Sequence, residues 1–267
     1  MDHSFCEEHL LGLPEYYNSL SSLFIVYFGL CGLMNAHNDI FIDILYANLA
    51  IVGIGSTGYH WYGNIGWALF DEIPIIVTVF SGIVYADNVY FLTYNNKFIK
   101  EDSDNNLSLT HKTPVRNMSM VYNKKYRLLT YLFGMYMFII NNVMANFRLI
   151  FPQLFTCIVV YLYYKIYCLI NLLDSYNRAQ TIYKAYNSLI TIAVSGAIWA
   201  GTEISCKHVN NHALLIGHPM WHFFIGHGFY NLIQVVYFIK LCDANIKMKY
   251  DSIYLLQIYS DTDKIDL

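Results

Sequence analysis

The 267-residue chain is 56% hydrophobic and only 13% charged, and its mean hydropathy is +0.36, a composition typical of a membrane protein. The net charge of -3 at pH 7 and the pI near 6.3 provide no basic surface for a phosphate backbone, so nucleic acid is not expected as a partner. The first nineteen residues contain acids but no Lys or Arg, unlike a secretory leader, and we expect them to belong to the mature protein.

Seven apolar stretches are about as long as a bilayer core requires, and each is predicted to form a transmembrane helix. In chain order they lie near Ser21 to Ala36, Phe41 to Trp61, Ile73 to Tyr94, Tyr126 to Ala145, Leu149 to Leu173, Tyr183 to Ile204 and Leu214 to Leu241. The one long connection spans roughly Asn95 to Lys125. We therefore expect an all-α integral membrane bundle divided into an N-terminal acidic segment (1–19), a seven-helix domain (20–241) and a C-terminal tail (242–267).

The distribution of basic residues predicts the orientation of this bundle. The N-terminal side of the membrane would hold only Arg148 and Lys207. Lys165 would lie within the fifth helix, and the opposite side would hold the other basic residues: Lys97, Lys100, Lys112, Arg116, Lys124, Lys125, Arg127, Arg178, Lys184, Lys240, Lys247, Lys249 and Lys264. Because basic loops stay in the cytosol, the C-terminus is predicted to be cytosolic and the N-terminus lumenal or extracellular.

Five polar residues are predicted at one depth near the lumenal side of the membrane. Ser56 and His60 end the second predicted helix, Asp71 precedes the third, and His218 and His222 begin the seventh. A spacing of four places each pair on one helix face. Three imidazoles with one open position form a known catalytic zinc arrangement, in which Asp71 could take a proton from the attacking water. The same histidines are also compatible with a structural role in helix packing, although ionisable residues within membranes are more often functional.

Three segments carry a resemblance to the alkaline ceramidases: Gly55-Ser56-x-x-x-His60, Asp71-Glu72-x-Pro74-Ile75 and His218-x-x-Trp221-His222. The resemblance covers nearly the whole chain and implies a seven-helix hydrolase that cleaves the amide of ceramide into a sphingoid base and a fatty acid. It also implies the roles of single residues. Zinc would be held by His60, His218 and His222, Asp71 would act as general base and then general acid, and Ser56 would stabilise the oxyanion.

The N-terminal stretch Phe5-Cys6-Glu7-Glu8-His9, followed by Glu15, is similar to the calcium-binding entry segment of the same family. Ser4 and His9 replace the usual Asp and Asn, so Glu7 and Glu15 are the carboxylates that the resemblance assigns to calcium.

The sixth predicted helix contains Trp199 and Cys206 in the family's register. Thr202 occupies the position of a family Asp, and Glu203 follows it. Cys6 and Cys206 both fall on the oxidising side of the predicted topology, which leads us to expect a disulfide between them.

Other functions share this architecture. A lipid esterase of the same superfamily would use the same metal site, and a receptor resembling the adiponectin receptors would use zinc mainly for structure. The short N-terminal segment favours the enzyme over such a receptor. The expected partners are ceramide or a related lipid amide and membrane lipids, while the sequence does not distinguish among endoplasmic reticulum, Golgi and plasma membrane.

Overall fold

A computed structural model of the chain describes residues 5–35, 39–104, 147–243, 248–250 and 258–260. Its secondary structure is almost entirely helical. The described α-helices are α1 (Cys6–Leu11), α2 (Tyr16–Met34), α3 (Ile40–Tyr62), α4 (Ile65–Asp104), α5 (Phe147–Ile170), α6 (Ser175–Cys206) and α7 (Gly217–Asp243). A 3-10 turn at His212–Ile216 precedes α7, and the short strands β1 (Met248–Tyr250) and β2 (Ile258–Ser260) pair antiparallel. The predicted all-α class is confirmed.

Six of the seven predicted spans coincide with helices of the structure, whereas the span predicted at Tyr126 to Ala145 lies outside the described residues. Four described helices are long and apolar enough to cross a membrane: Tyr16–Met34, Ile40–Tyr62, Ile65–Tyr90 and Ser175–Cys206. Phe155–Ile170 is a shorter apolar helix. This is the pattern of a multi-pass membrane protein.

One boundary differs clearly from the prediction. Helix α4 is 40 residues long and continues through Asp104, although the sequence predicts a loop from Asn95 onward. The hydropathy pattern marks where an apolar span ends, but a helix can continue beyond that point if its residues tolerate the conformation. The segment 95–104 contains neither Gly nor Pro and includes Lys97, Lys100 and Glu101, which are good helix formers.

Small residues allow α2 and α3 to pack closely. A Cβ added to Gly29 would lie 2.5 Å from the Ala50 amide nitrogen, and a Cβ added to Gly53 would lie 2.5 Å from the Val26 amide nitrogen. Neither position has room for a side chain. Backbone contact of this kind is typical of helix pairs in membranes, because lipid provides no hydrophobic force to drive helices together and close van der Waals packing must do so.

A two-residue connection reverses the chain between α3 and α4. Gly63, with φ 64°, occupies the left-handed region and donates its N–H to the Tyr59 carbonyl oxygen over 2.8 Å, which ends α3. The Asn64 side chain accepts from the Trp67 amide over 3.1 Å at the start of α4. The tight reversal brings the first turns of α4 back along the last turns of α3.

The described residues divide into two compact units, 1–78 with 183–234, and 79–182 with 235–267. The division into residues 1–19, 20–241 and 242–267 stays a prediction.

In the second unit, Lys165 lies 2.9 Å from Asp87 and 5.3 Å from the centre of the Tyr161 ring. The cation within the fifth predicted span is therefore paired, which lowers the cost of placing it in an apolar segment.

Candidate metal centre

Three histidines of the first unit converge on one point. His60 lies in the last turn of α3, while His218 and His222 lie one turn apart at the start of α7. All three side chains are buried, and one ligand nitrogen from each lies within 4.8 Å of the other two. The ring centres are 4.7 to 5.2 Å apart. Among the described residues this is the one group of His, Cys, Asp or Glu side chains arranged to hold a metal ion.

His60 is oriented by a carboxylate from the start of α2. Its Nδ1 lies 2.7 Å from Glu15 Oε2, which also accepts from the Asn18 side-chain amide over 2.6 Å. The Glu15 backbone amide donates to the His60 carbonyl oxygen over 3.0 Å. Because a carboxylate accepts, Nδ1 carries the proton and Nε2 presents its lone pair.

His222 is oriented by the hydroxyls of α2. Its Nδ1 lies 2.8 Å from Ser21 Oγ and 3.3 Å from Ser22 Oγ. The Ser21 hydroxyl lies 3.0 Å from the Asn18 carbonyl oxygen and donates to it. The Ser21 oxygen is consequently the acceptor toward the imidazole, which again assigns the proton to Nδ1 and the lone pair to Nε2.

His218 is oriented by Glu203 of α6, whose Oε1 lies 2.9 Å from His218 Nδ1. Each of the three imidazoles thus has a hydrogen-bond acceptor at Nδ1, and the three Nε2 atoms remain for a common ligand. This is the arrangement that metal-binding histidines usually show, with the second nitrogen fixed by a carboxylate or another oxygen. The residues fit a metal ion bound by three neutral imidazoles with a further open position, as in catalytic zinc sites.

Two carboxylates of the N-terminal segment, those of Glu7 and Glu15, are buried. Glu7, only 1% exposed, accepts from the backbone amides of Tyr17 and Asn18 over 2.8 and 2.9 Å and so caps the start of α2. Glu15, 2% exposed, contacts His60 as described above. The assignment of calcium to Glu7 and Glu15 stays a prediction.

Cys6 and Cys206 form a disulfide that joins the N-terminal segment to the end of α6. The residue before Cys6, Phe5, lies against two of the histidines, with ring centres 4.7 Å from His218 and 5.1 Å from His60. The covalent link therefore holds an aromatic side chain against the imidazole cluster.

Ser56 of α3 and the backbone of Asp71 in α4 lie close to each other. Ser56 is buried one turn before His60, and its Oγ lies 3.1 Å from Ser22 Oγ. Asp71 is half-buried in the second turn of α4. Its backbone amide packs against Gly55, because a Cβ at Gly55 would lie 2.6 Å from the Asp71 nitrogen and would overlap the Phe70 carbonyl oxygen. The absence of a side chain at Gly55 is what lets Asp71 lie beside the Ser56 turn.

We expect Gly55→Ala to lower the free energy of unfolding by about 1–3 kcal/mol, since the new methyl overlaps the α4 backbone and neither helix can yield locally. The measurement is thermal unfolding in detergent. Gly201→Ala is the matched control, because nothing lies within 4 Å of a Cβ added there. Replacement of a helical Gly by Ala should leave the free energy of unfolding unchanged or raise it by up to about 1 kcal/mol. Equal stability of Gly55→Ala and the parent would contradict the close approach of α3 and α4.

His227, five residues beyond His222, does not join the cluster. Its ring packs with Phe28 at 5.5 Å between centres, and its Nε2 lies 3.0 Å from the Asn231 side-chain amide. The sequence does not predict Ser21 and Glu203 as partners of the imidazoles, and for Glu15 it predicts calcium binding instead. The position of these residues could have indicated their role. A serine or an acid buried next to an apolar helical segment costs free energy unless it is hydrogen-bonded, so a partner is expected for each.

The fold and the site together define the class of the protein: a multi-pass helical protein of the membrane type with a buried three-histidine centre able to hold a metal ion. The Ceramidase family model matches residues 2–261, and the chain belongs to this family. A relative from Dictyostelium discoideum described as "Putative alkaline ceramidase dcd3A" is 25% identical, and the match covers 87% of this chain and 82% of the relative. Family membership supports a hydrolase with ceramide hydrolysis as its general activity.

Proposed function

We propose that the protein hydrolyses the amide bond of ceramide in a zinc-dependent reaction that yields a sphingoid base and a free fatty acid. The observation that carries the proposal is the convergence of His60, His218 and His222, each with its Nδ1 held by an acceptor. Family membership supplies the substrate class. An apolar membrane protein is also the expected host for a substrate that resides in the bilayer.

His60, His218 and His222 would hold the zinc. When bound, zinc would polarise a carbonyl and lower the pKa of a bound water toward about 7. Glu15, Ser21 and Glu203 each accept from Nδ1 of one imidazole, so each ring would present its Nε2 lone pair to the metal. Their burial excludes bulk water, which strengthens electrostatic interactions within the site.

Asp71 and Ser56 would carry the proton transfers and the charge stabilisation. As the water oxygen attacks the carbonyl carbon, Asp71 takes a proton from it and later returns that proton to the amide nitrogen. The carbon–nitrogen bond then breaks to release the amine. Ser56 would donate its hydroxyl proton to the oxygen that gains charge during the attack.

The Cys6–Cys206 disulfide supports the proposed orientation of the protein. Disulfides persist in oxidising compartments, so both cysteines are expected on the lumenal or extracellular side. Cys206 ends α6 and Cys6 begins α1, which agrees with a lumenal N-terminus and a metal centre near that side. The C-terminal tail would then be cytosolic.

Removal of the metal tests the proposed function directly. We expect purified protein to release fatty acid from ceramide, to lose this activity in a chelator and to regain it when zinc is added back. A matched lipid ester should be assayed in parallel, since a zinc site can polarise either carbonyl. Preference for the ester would identify a lipid esterase, and ceramide hydrolysis that survives complete metal removal would refute the zinc-dependent mechanism.

A further inference from the structure

The side chain of Glu203 is held at both oxygens. Its Oε1 lies 2.9 Å from Nδ1 of His218, and its Oε2 accepts the Cys6 backbone N–H over 2.8 Å. The carboxylate is 13% exposed and the His218 side chain 7% exposed, so solvent competes little for either bond. Glu203 thus connects a predicted zinc ligand to the N-terminal segment.

The amide that binds Glu203 belongs to a cysteine of the disulfide. Cys6 is bonded to Cys206, which lies three residues after Glu203 and therefore on the same face of α6. The contacts form a closed loop that runs from Glu203 to the Cys6 amide, through the disulfide to Cys206, and back along one helical turn. Both sulfur-bearing residues are buried, which protects the loop from solvent.

From this geometry we infer that Glu203 is a positioning residue for His218 and that the Cys6–Cys206 disulfide maintains its orientation. The inference rests on the proposed zinc site. A glutamate side chain has several rotatable bonds, and a fixed amide at Oε2 holds Oε1 where Nδ1 can donate to it. The imidazole then presents Nε2 toward His60 and His222 without reorganisation when the metal binds.

The expected effect is on retention of the metal. Loss of an outer-shell partner of this kind typically weakens metal binding by about 10- to 100-fold. Glu203→Gln keeps the size of the side chain but removes the negative charge, so we expect zinc to leave the variant about 10-fold faster. Glu203→Ala should release zinc faster still, by about 100-fold, because it removes both bonds. Removal of the disulfide by Cys6→Ser with Cys206→Ser should also accelerate release.

The experiment measures the rate at which zinc-loaded protein in detergent releases zinc to a chromogenic chelator. Thermal unfolding of the metal-free proteins is measured alongside, because a merely structural role would alter stability without altering the release rate. Asp174→Asn is the control for an acid-to-amide change. Asp174 accepts from the amides of Tyr176 and Asn177 at the start of α6, and Asn caps helices as well as Asp does.

Combination of Glu203→Gln with the double cysteine variant tests the connection between the two features. If the disulfide acts through Glu203, the two changes together should accelerate release by less than the product of their separate effects. Multiplicative effects, or no effect of the cysteine changes, would overturn the role of the disulfide. Release from Glu203→Gln at the parental rate would overturn the positioning role while the proposed function stands. A parent that binds no zinc would instead refute the proposed function.

Discussion

His222→Ala is expected to abolish both zinc binding and ceramide hydrolysis. His222 is one of three converging imidazoles, and its removal leaves two ligands where catalytic zinc sites have three. The residue is 2% exposed, and its ring centre lies 5.2 Å from that of His60 and 4.7 Å from that of His218. Zinc content by elemental analysis should fall to background, and fatty acid release should fall with it.

The matched control for this variant is His227→Ala. His227 lies on the same helix and is half-buried, but it takes no part in the three-histidine cluster. Its replacement should leave zinc content unchanged, so the comparison separates a specific ligand from a general effect of histidine loss on α7. Full zinc occupancy in His222→Ala would show that the converging rings do not form the metal site.

Asp71→Asn is expected to retain zinc while losing about 10²- to 10⁴-fold in turnover, the contribution typical of a general acid or base. The amide keeps the shape of the side chain but cannot take a proton from water. Because Asn has nearly the same size as Asp, the substitution should leave the packing of the Asp71 backbone against Gly55 intact. The measurements are single-turnover hydrolysis of ceramide and zinc content of the same preparation.

Asp174→Asn serves again as the control, since it is an acid-to-amide change in the other compact unit. It should leave turnover unchanged. An unaltered rate in Asp71→Asn would remove Asp71 from the proton transfers. Loss of zinc from Asp71→Asn would instead make Asp71 part of the metal centre, and the proposed division of roles would then be wrong.

Much of this architecture is encoded in local sequence patterns. The all-α class and six of the seven predicted spans follow from the length of the apolar runs, because a chain in lipid must satisfy its backbone hydrogen bonds within each segment. The pairing of His218 with His222 follows from the pitch of a helix. The end of α4 was predicted too early because hydropathy reports the extent of the bilayer core rather than the extent of the helix.

Which oxygen orients which imidazole depends on tertiary contacts. Glu15 is separated from His60 by 45 residues, and Ser21 from His222 by 201. No periodicity links residues so far apart. The packing of α2 against α3, permitted by Gly29 and Gly53, brings Glu15 to His60, and the contact of α2 with α7 brings Ser21 to His222. The sequence by itself thus determined the apolar helices, their placement in a membrane and the histidines available as ligands. Helix packing determined which oxygen accepts a hydrogen bond from each histidine and brought the three imidazoles together.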